Sequence, residues 1–373
     1  MKNRIMTLGE ISVFIRNGVT IKQNNQEKSG YPITRIETIS DGTIDENRMG
    51  YAGIFEKEKY QNWFLENEDI LISHINSEKH LGKSAIYFGD KEKIIHGMNL
   101  LCFRTKKEIV ISQYLYFYFK SLNYRKNIGK IAKKSVNQAS FSIKDFRNIE
   151  IDLPNIESQR KIVKKLKTIY EILKLKEEQV KNLSKLSKCL FFKMFGDLNN
   201  NSLNLPIKEW KEIFSTTTGK LDSNAMVSNG KYPFFTCAKE SFWINEYAFD
   251  CEALLLAGNN AAGVYDVKYY KGKFNAYQRT YILQLLNNKW SYLFFKKQLE
   301  EKLIYLKQVS KGTNTRYLTL EILKGLKFIV PSYEKQEMFN KYILKIEKSK
   351  FEIQQSIDET QKLFDSLMEK YFG

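Results

Sequence analysis

The 373-residue chain contains four cysteines, five prolines and three histidines. Cys102, Cys189, Cys237 and Cys251 are too few and too irregularly placed for a disulfide framework. They also lack the CxxC spacing of zinc or redox sites. They read as reduced thiols, which predicts a cytoplasmic protein. No apolar run approaches the ~18–20 residues of a membrane span, and the opening MKNRIMTLGEIS lacks the apolar core of a secretory signal. GxxxxGK[ST] is absent, which excludes that type of phosphate-cradling loop. No two prolines are adjacent, so the Asn-Pro-Pro-Tyr motif of amino-methyltransferases is absent too.

What is present is apolar mass and positive charge. Hydrophobic residues make up 43% of the chain and aromatics 14%, too much for a disordered basic tail. The length predicts about two domains. A formal charge of +18 favours an anionic polymer over an anionic metabolite as partner.

The chain is organised by an internal repeat. Pro154, Glu157, Gln159, Lys193, Phe195 and Gly196 stand 177 residues before Pro331, Glu334, Gln336, Lys370, Phe372 and Gly373. Apolar pairs share the offset: Ile162/Phe339, Leu166/Ile343, Ile169/Ile346, Val180/Ile357, Leu186/Leu363 and Leu190/Leu367. So do Phe141, Ile143, Phe146 and Leu153 with Leu318, Leu320, Leu323 and Val330, and the segments 113–120 and 290–297. With gaps, 69–73 matches 253–258, and Gly30-Tyr31-Pro32 matches the Gly-Lys-Tyr-Pro of 230–233. Two copies of one unit follow, each a globular segment (1–153, 197–330) trailed by a segment of about forty residues (154–196, 331–373).

The trailing segments read as long helices. Neither Gly nor Pro interrupts 156–195, and apolar residues recur three and four apart. Residues 333–372 behave alike. Each segment opens just after a proline with an acidic residue in its first turn. The stripes, including all twelve residues of the six pairs above, predict an antiparallel intramolecular coiled coil. The alternative is two amphipathic helices, each docked on its own domain. The globular segments carry short β-like runs (69–73, 85–88, 253–257, 281–285) and one helix each, about 111–123 and 289–306. The fold class is therefore α+β: two pseudo-symmetric globular domains joined by two long helices.

Charge follows the repeat, at +6 for 1–153, +7 for 154–196, +6 for 197–330 and −1 for 331–373. Equal charge on both globular copies fits one electrostatic task performed twice. The basic first helix either runs along phosphates or presents a solvated lysine face. Catalytic candidates are weak. Glu209-Trp210-Lys211 and Asp266-Val267-Lys268 have the carboxylate-x-Lys form of some nucleases, which a chain this rich in Asp, Glu and Lys contains by chance. His74, His80 and His96 all lie in the first copy, so a shared catalytic or metal role has no counterpart in the second; they read as exposed polar residues or base readers.

Taken together, the order of parts resembles the specificity subunit of type I restriction–modification enzymes. The residues that carry the resemblance are Leu153-Pro154-Asn-Ile-Glu157-Ser-Gln159-Arg-Lys-Ile162, Val330-Pro331-Ser-Tyr-Glu334-Lys-Gln336, Glu68-Asp69-Ile70-Leu71-Ile72-Ser73, and Gly18 and Gly219 near the start of each copy. It covers essentially the whole chain. Many members read Glu-Gln before the helix, whereas this chain has Ser158-Gln159 and Lys335-Gln336. The resemblance implies two target recognition domains that each read one half of a bipartite, asymmetric sequence in double-stranded DNA. It implies helices that set the spacing and dock two modification subunits, and restriction subunits in the full complex. It also implies a non-catalytic chain without cofactor or metal of its own; S-adenosylmethionine, ATP and magnesium belong to the partner subunits.

The DNA-binding candidates in the first copy are the polar residues His74, Asn76, Lys79, His80 and Lys83, with Lys133, Lys134, Asn137 and Gln138. In the second copy they are Lys220, Asn259, Asn260, Gln278, Arg279, Lys311, Asn314 and Arg316. Lys and Arg on phosphates supply salt-dependent affinity, and Asn, Gln and Arg have the donors and acceptors that read base edges. Two other readings stand beside this one: an intracellular scaffold that binds RNA, and an autonomous nuclease or methyltransferase.

Overall fold

The computed structural model describes residues 4–23, 28–39, 42–89, 93–136, 138–198 and 200–373. The chain divides into two compact units. The first holds residues 1–177 and 356–373, the second 178–355. Each unit thus owns part of both long helices, Ile156–Phe195 and Tyr333–Phe372.

In the first unit four antiparallel strands form a sheet in the order Ser12–Asn17, Leu100–Thr105, Ile70–Ser73, Ser84–Ile86. Arg4–Thr7 pairs separately with Glu150–Leu153. The second unit repeats both features. Phe214–Thr218, Thr280–Leu285, Phe249–Ala257 and Val267–Ala276 follow the same spatial order, and Ile207–Glu209 pairs with Lys327–Ile329. The second sheet then adds Tyr232–Phe235 and Phe242–Ile244, the former parallel to its neighbour Val267–Ala276. The mixed α and β content agrees with the expected class.

Gly18 and Gly219 are glycine for the same reason. A Cβ at Gly18 would strike the carbonyls of His96 and Gly97, and one at Gly219 those of Ala276 and Tyr277. The strand must pass this close for its edge to meet the neighbouring turn.

Each long helix opens on an equivalent cap. Asn155 Oδ1 accepts from the Ser158 N–H at 2.9 Å, and Ser332 Oγ from the Lys335 N–H at 3.5 Å. Side-chain acceptors at this position satisfy a helix's first orphan donors. Ser158 and Lys335, which depart from the family's usual residue, therefore do not have to supply the cap.

Within the first unit the two helix segments run antiparallel. Lys176 Nζ donates to Ser356 Oγ and Thr360 Oγ1, both at 2.7 Å, while Tyr170 meets Phe364 with ring centres 6.2 Å apart. The same segments dock on their domain. Leu166, Leu173, Phe364, Met368 and Phe372 share one core with Tyr114 and Phe117. In the second unit Phe191 and Phe195 pack on Phe339 and on Phe294 of the domain. Helix pairing and helix docking, alternatives at the level of sequence, coexist.

Of the predicted seam residues, Leu166, Phe339, Ile343 and Ile346 are buried. Ile162, Ile169, Ile357, Leu367 and Leu190 are partly buried against the cores, and Val180 is half-buried. Leu186 and Leu363 are exceptions, at 53% and 52% exposed. Their neighbours Ser187 and Phe364 take the buried positions. One residue is about 100° of helix rotation, enough to move a leucine out of a seam.

The helix expected over 111–123 is two: Ser112–Tyr118, then Leu122–Ile131 started afresh by Ser121, whose hydroxyl accepts from the Tyr124 N–H at 3.1 Å. Its counterpart Tyr292–Val309 is continuous.

Candidate nucleic-acid interface

Short strands at the end of each sheet gather the polar residues singled out in the sequence. In the first unit Ile75–Asn76 pairs with Ala139–Ser140, which pairs in turn with Lys133–Lys134. Asn76, Lys133, Lys134 and Gln138 thereby lie together. Asn76 donates to Ser73 Oγ at 3.1 Å and accepts from the Ser77 N–H at 2.8 Å, which fixes its amide. Lys134 reaches Glu78 at 2.6 Å. Asn76, His80 and Lys83 share the wall of a cavity of about 220 Å³ with Ser73 and Glu37. Lys79, Lys133, Lys134 and Gln138 are exposed. Asn137 lies outside the described residues.

The second unit builds the same corner. Asn259 and Asn260 pair with Tyr317 and Arg316, and Lys311 exchanges both backbone hydrogen bonds with Tyr317. Asn260 Oδ1 accepts from the N–H groups of Ala262 and Val264. The Gly258 N–H donates to the Arg279 carbonyl at 2.8 Å, and the Gln278 N–H to Leu221, next to Lys220, at 2.9 Å. Gln278, Arg279, Lys220, Lys311 and Asn314 are exposed. Arg316 is partly committed: it is half-buried, and its guanidinium donates to the Lys307 carbonyl at 2.9 Å.

The sheet registers equate the two corners residue by residue. Ser73 opposes Leu100 as Ala257 opposes Thr280, and Phe141 donates to the His74 carbonyl as Leu318 donates to that of Gly258. Asn76 therefore corresponds to Asn260, Lys133 to Lys311, and His74 to Gly258.

That placement corrects the reading of two histidines as exposed. His74 is 5% exposed, with its ring against Phe141. His96 is 1% exposed, with Nε2 2.9 Å from the Leu100 carbonyl oxygen, so that nitrogen carries the proton. Burial lowers both pKa values to about 4, holding both rings neutral near pH 7. Nδ1 of each is buried without a hydrogen-bond partner among the described residues.

The equivalence also exposes what the sequence reading passed over. The turn preceding Thr280 carries Gln278 and Arg279; the turn preceding Leu100 carries Met98 and Asn99, with Asn99 at φ +80°. An Asn in a left-handed turn beside a strand was the available signal.

Neither carboxylate-x-Lys triplet forms a site. Glu209 pairs with Lys211 at 3.1 Å and Asp266 with Lys268 at 3.4 Å, while Trp210 is core. Among the described residues no group of three His, Cys, Asp or Glu side chains is placed to hold a metal, and no helix is long and apolar enough to cross a membrane.

Comparison with known proteins agrees with this architecture. The sequence model of the type I restriction modification DNA specificity domain matches residues 2–185 and 205–361. The chain is 42% identical over 192 residues to the "Putative type I restriction enzyme MjaX specificity subunit" of Methanocaldococcus jannaschii, covering 51% of this chain and 45% of that protein. It is 35% identical over 160 residues to the type I restriction enzyme EcoDI specificity subunit of Escherichia coli, covering 40% and 35%. Each match thus spans less than half of the relative's length. The crystal structure of a type I restriction-modification system S subunit from M. genitalium superposes with a TM-score of 0.68 at 16% identity, over 99% of this chain and 96% of that one, and so shares the fold. With two matches of the family model, one on each copy of the repeat, the chain belongs to the type I restriction modification DNA specificity domain family.

Proposed function

We propose that the chain is the sequence-reading component of a type I restriction–modification complex, each unit recognising one half of a bipartite sequence in double-stranded DNA. The observation that carries this reading is the duplicated corner: Asn76 with Lys133 in the first unit, Asn260 with Lys311 in the second, at equivalent positions of equivalent sheets. A duplex offers two equivalent approaches related by its dyad, and a duplicated protein can use both. The copies differ in what surrounds the shared pair: Met98 and Asn99 stand in one, Gln278 and Arg279 in the other. The two half-sites therefore differ, and the target is asymmetric.

On this reading the lysines supply affinity and the amide and guanidinium groups supply discrimination. The long helices set the gap between half-sites and dock two modification subunits. Methyl transfer with S-adenosylmethionine, and cleavage with ATP and magnesium, reside on the modification and restriction subunits. The full chain is tested with duplex DNA, RNA of the same sequence, magnesium, ATP and S-adenosylmethionine. We expect salt-dependent binding that favours duplex DNA and no turnover by the lone chain. Preference for RNA, or nuclease or methyltransferase activity without partners, overturns the proposal.

A further inference from the structure

The first unit holds a cavity of about 650 Å³ with an unusual lining. Lys79, Lys83, Lys120, Arg125 and Lys134 border it against a single carboxylate, Glu78, an excess of four positive charges. Its apolar wall is made by Leu81, Phe119 and Ile128. The volume falls within the ~300–1,000 Å³ of small-ligand sites, where an apolar wall and a few placed charges are the usual combination.

Three further observations point the same way. Lys120 is half-buried; its ammonium lies 4.3 Å from the Tyr116 ring centre and 4.5 Å from that of Tyr170, whose side chain it also hydrogen-bonds, and Lys174 is a second cation nearby. A partly desolvated ammonium beside a second cation gains from an added anion. Gly129 also lines the cavity, inside the helix Leu122–Ile131. It has no steric reason to be glycine, because a Cβ there would meet nothing within 4 Å. A helix-interior glycine is destabilising relative to alanine, and here it leaves an exposed position on the cavity lining without a side chain. Finally, the lining is not repeated in the second unit. The cavity's helical wall is the separate helix Leu122–Ile131 that starts after Ser121. At positions matched by helix start, Lys120, Arg125 and Gly129 are replaced in the second unit by Glu300, Tyr305 and Val309, on one continuous helix. The cavity shares Lys134 with the DNA-reading corner, but Lys120, Arg125 and Gly129 are not repeated in the second unit.

We propose that this cavity binds a compact polyanion with an attached ring, of the nucleoside di- or triphosphate class. The cations take the phosphates and the Leu81, Phe119 and Ile128 wall takes the base. A duplex is too wide to enter the cavity, and its singly charged phosphates are spread along the strand, whereas a triphosphate concentrates a matching charge within the cavity. Lys79, Lys83 and Lys134 are also DNA-binding candidates, so an occupied cavity competes with the first half-site. The ligand assignment itself does not depend on the DNA-reading role.

The test is calorimetric titration of the full chain with ATP, inorganic triphosphate and adenosine in the absence of magnesium, alongside duplex DNA. We expect saturable binding of ATP that weakens with salt, weaker binding of triphosphate, and none of adenosine. Gly129→Phe adds a ring to the lining, and Arg125→Ala removes an exposed cation. Each is expected to weaken ATP about tenfold or more, or roughly 1.4 kcal/mol, with unchanged circular dichroism. Absence of ATP binding, equal binding by Gly129→Phe, or adenosine binding as well as ATP overturns the proposal. A Gly129→Phe chain that loses affinity for duplex DNA while wild type ignores ATP also overturns it, and assigns these cations to the DNA backbone.

Discussion

Gln159 and Gln336 perform one task 177 residues apart: each is fully buried near the start of a long helix and splices that helix to the start of a domain helix. Gln159 Oε1 accepts from the Ile111 N–H at 2.9 Å, and its amide donates to the carbonyls of Pro154 and Ile109 at 2.8 and 3.1 Å. Gln336 accepts from the Ser291 N–H at 3.0 Å and donates to the Pro331 carbonyl at 3.0 Å. Truncation strands buried backbone groups, so Gln159→Ala or Gln336→Ala is expected to destabilise its unit by about 2–4 kcal/mol. Denaturant unfolding of each variant measures this. Gln159→Glu is not a rescue, because a carboxylate faces two carbonyls that need a donor.

These glutamines also correct the alignment of the copies. They make Ile111 equivalent to Ser291, an offset of 180, whereas the sequence match of 113–120 with 290–297 used 177. Three residues is nearly one helical turn, so a slipped match still places apolar residues on the same face.

Buried Asp69 anchors the first sheet. Its two oxygens take Arg104 Nε and one terminal guanidinium nitrogen, both at 2.8 Å, and it also accepts from the Glu66 N–H at 2.8 Å. Asp69 is 1% exposed, so Arg104→Met leaves a buried carboxylate unpaired and is expected to cost roughly 3–5 kcal/mol. In a double-mutant cycle, Asp69→Asn with Arg104→Met should lose less than the sum of the single changes.

The buried histidines make the first unit acid-sensitive. Their pKa values lie at about 4 in the folded chain and near 6.5 unfolded, so between these limits the unfolded state binds more protons. Stability is fully present above about pH 6.5 and is lost as pH falls toward 4, by on the order of 3 kcal/mol per histidine. Thermal melts from pH 7.5 to 5 should fall in Tm, and His74→Asn with His96→Gln should flatten that slope.

Much of this was legible in the chain. The 177-residue offset located both long helices, because Pro, Glu, Gln and Phe-Gly recur on a shared register. The basic corner was legible as polar clusters at matching places. The break at Ser121 was hidden by an aromatic run that fits one continuous amphipathic helix, and only the cap geometry separates the two. The burial of His74 was hidden as well. Its counterpart is Gly258, and the neighbour that shields it, Phe141, is distant in sequence.

Arg279 and Asn99 occupy equivalent turns, which predicts half-site-specific effects. Arg279→Ala is expected to cost ~1–3 kcal/mol at one base pair and relax only the half read by the second unit. Asn99→Gly keeps the left-handed turn, removes the amide and should alter only the other half.

The most direct measurement is single-molecule sequencing of adenine methylation in cells carrying the modification subunit, with this chain absent, wild type or Arg279→Ala. The account predicts an asymmetric bipartite motif that appears only with the chain, and whose one half changes in the variant. A contiguous motif, a motif that persists without the chain, or a variant that changes both halves contradicts it.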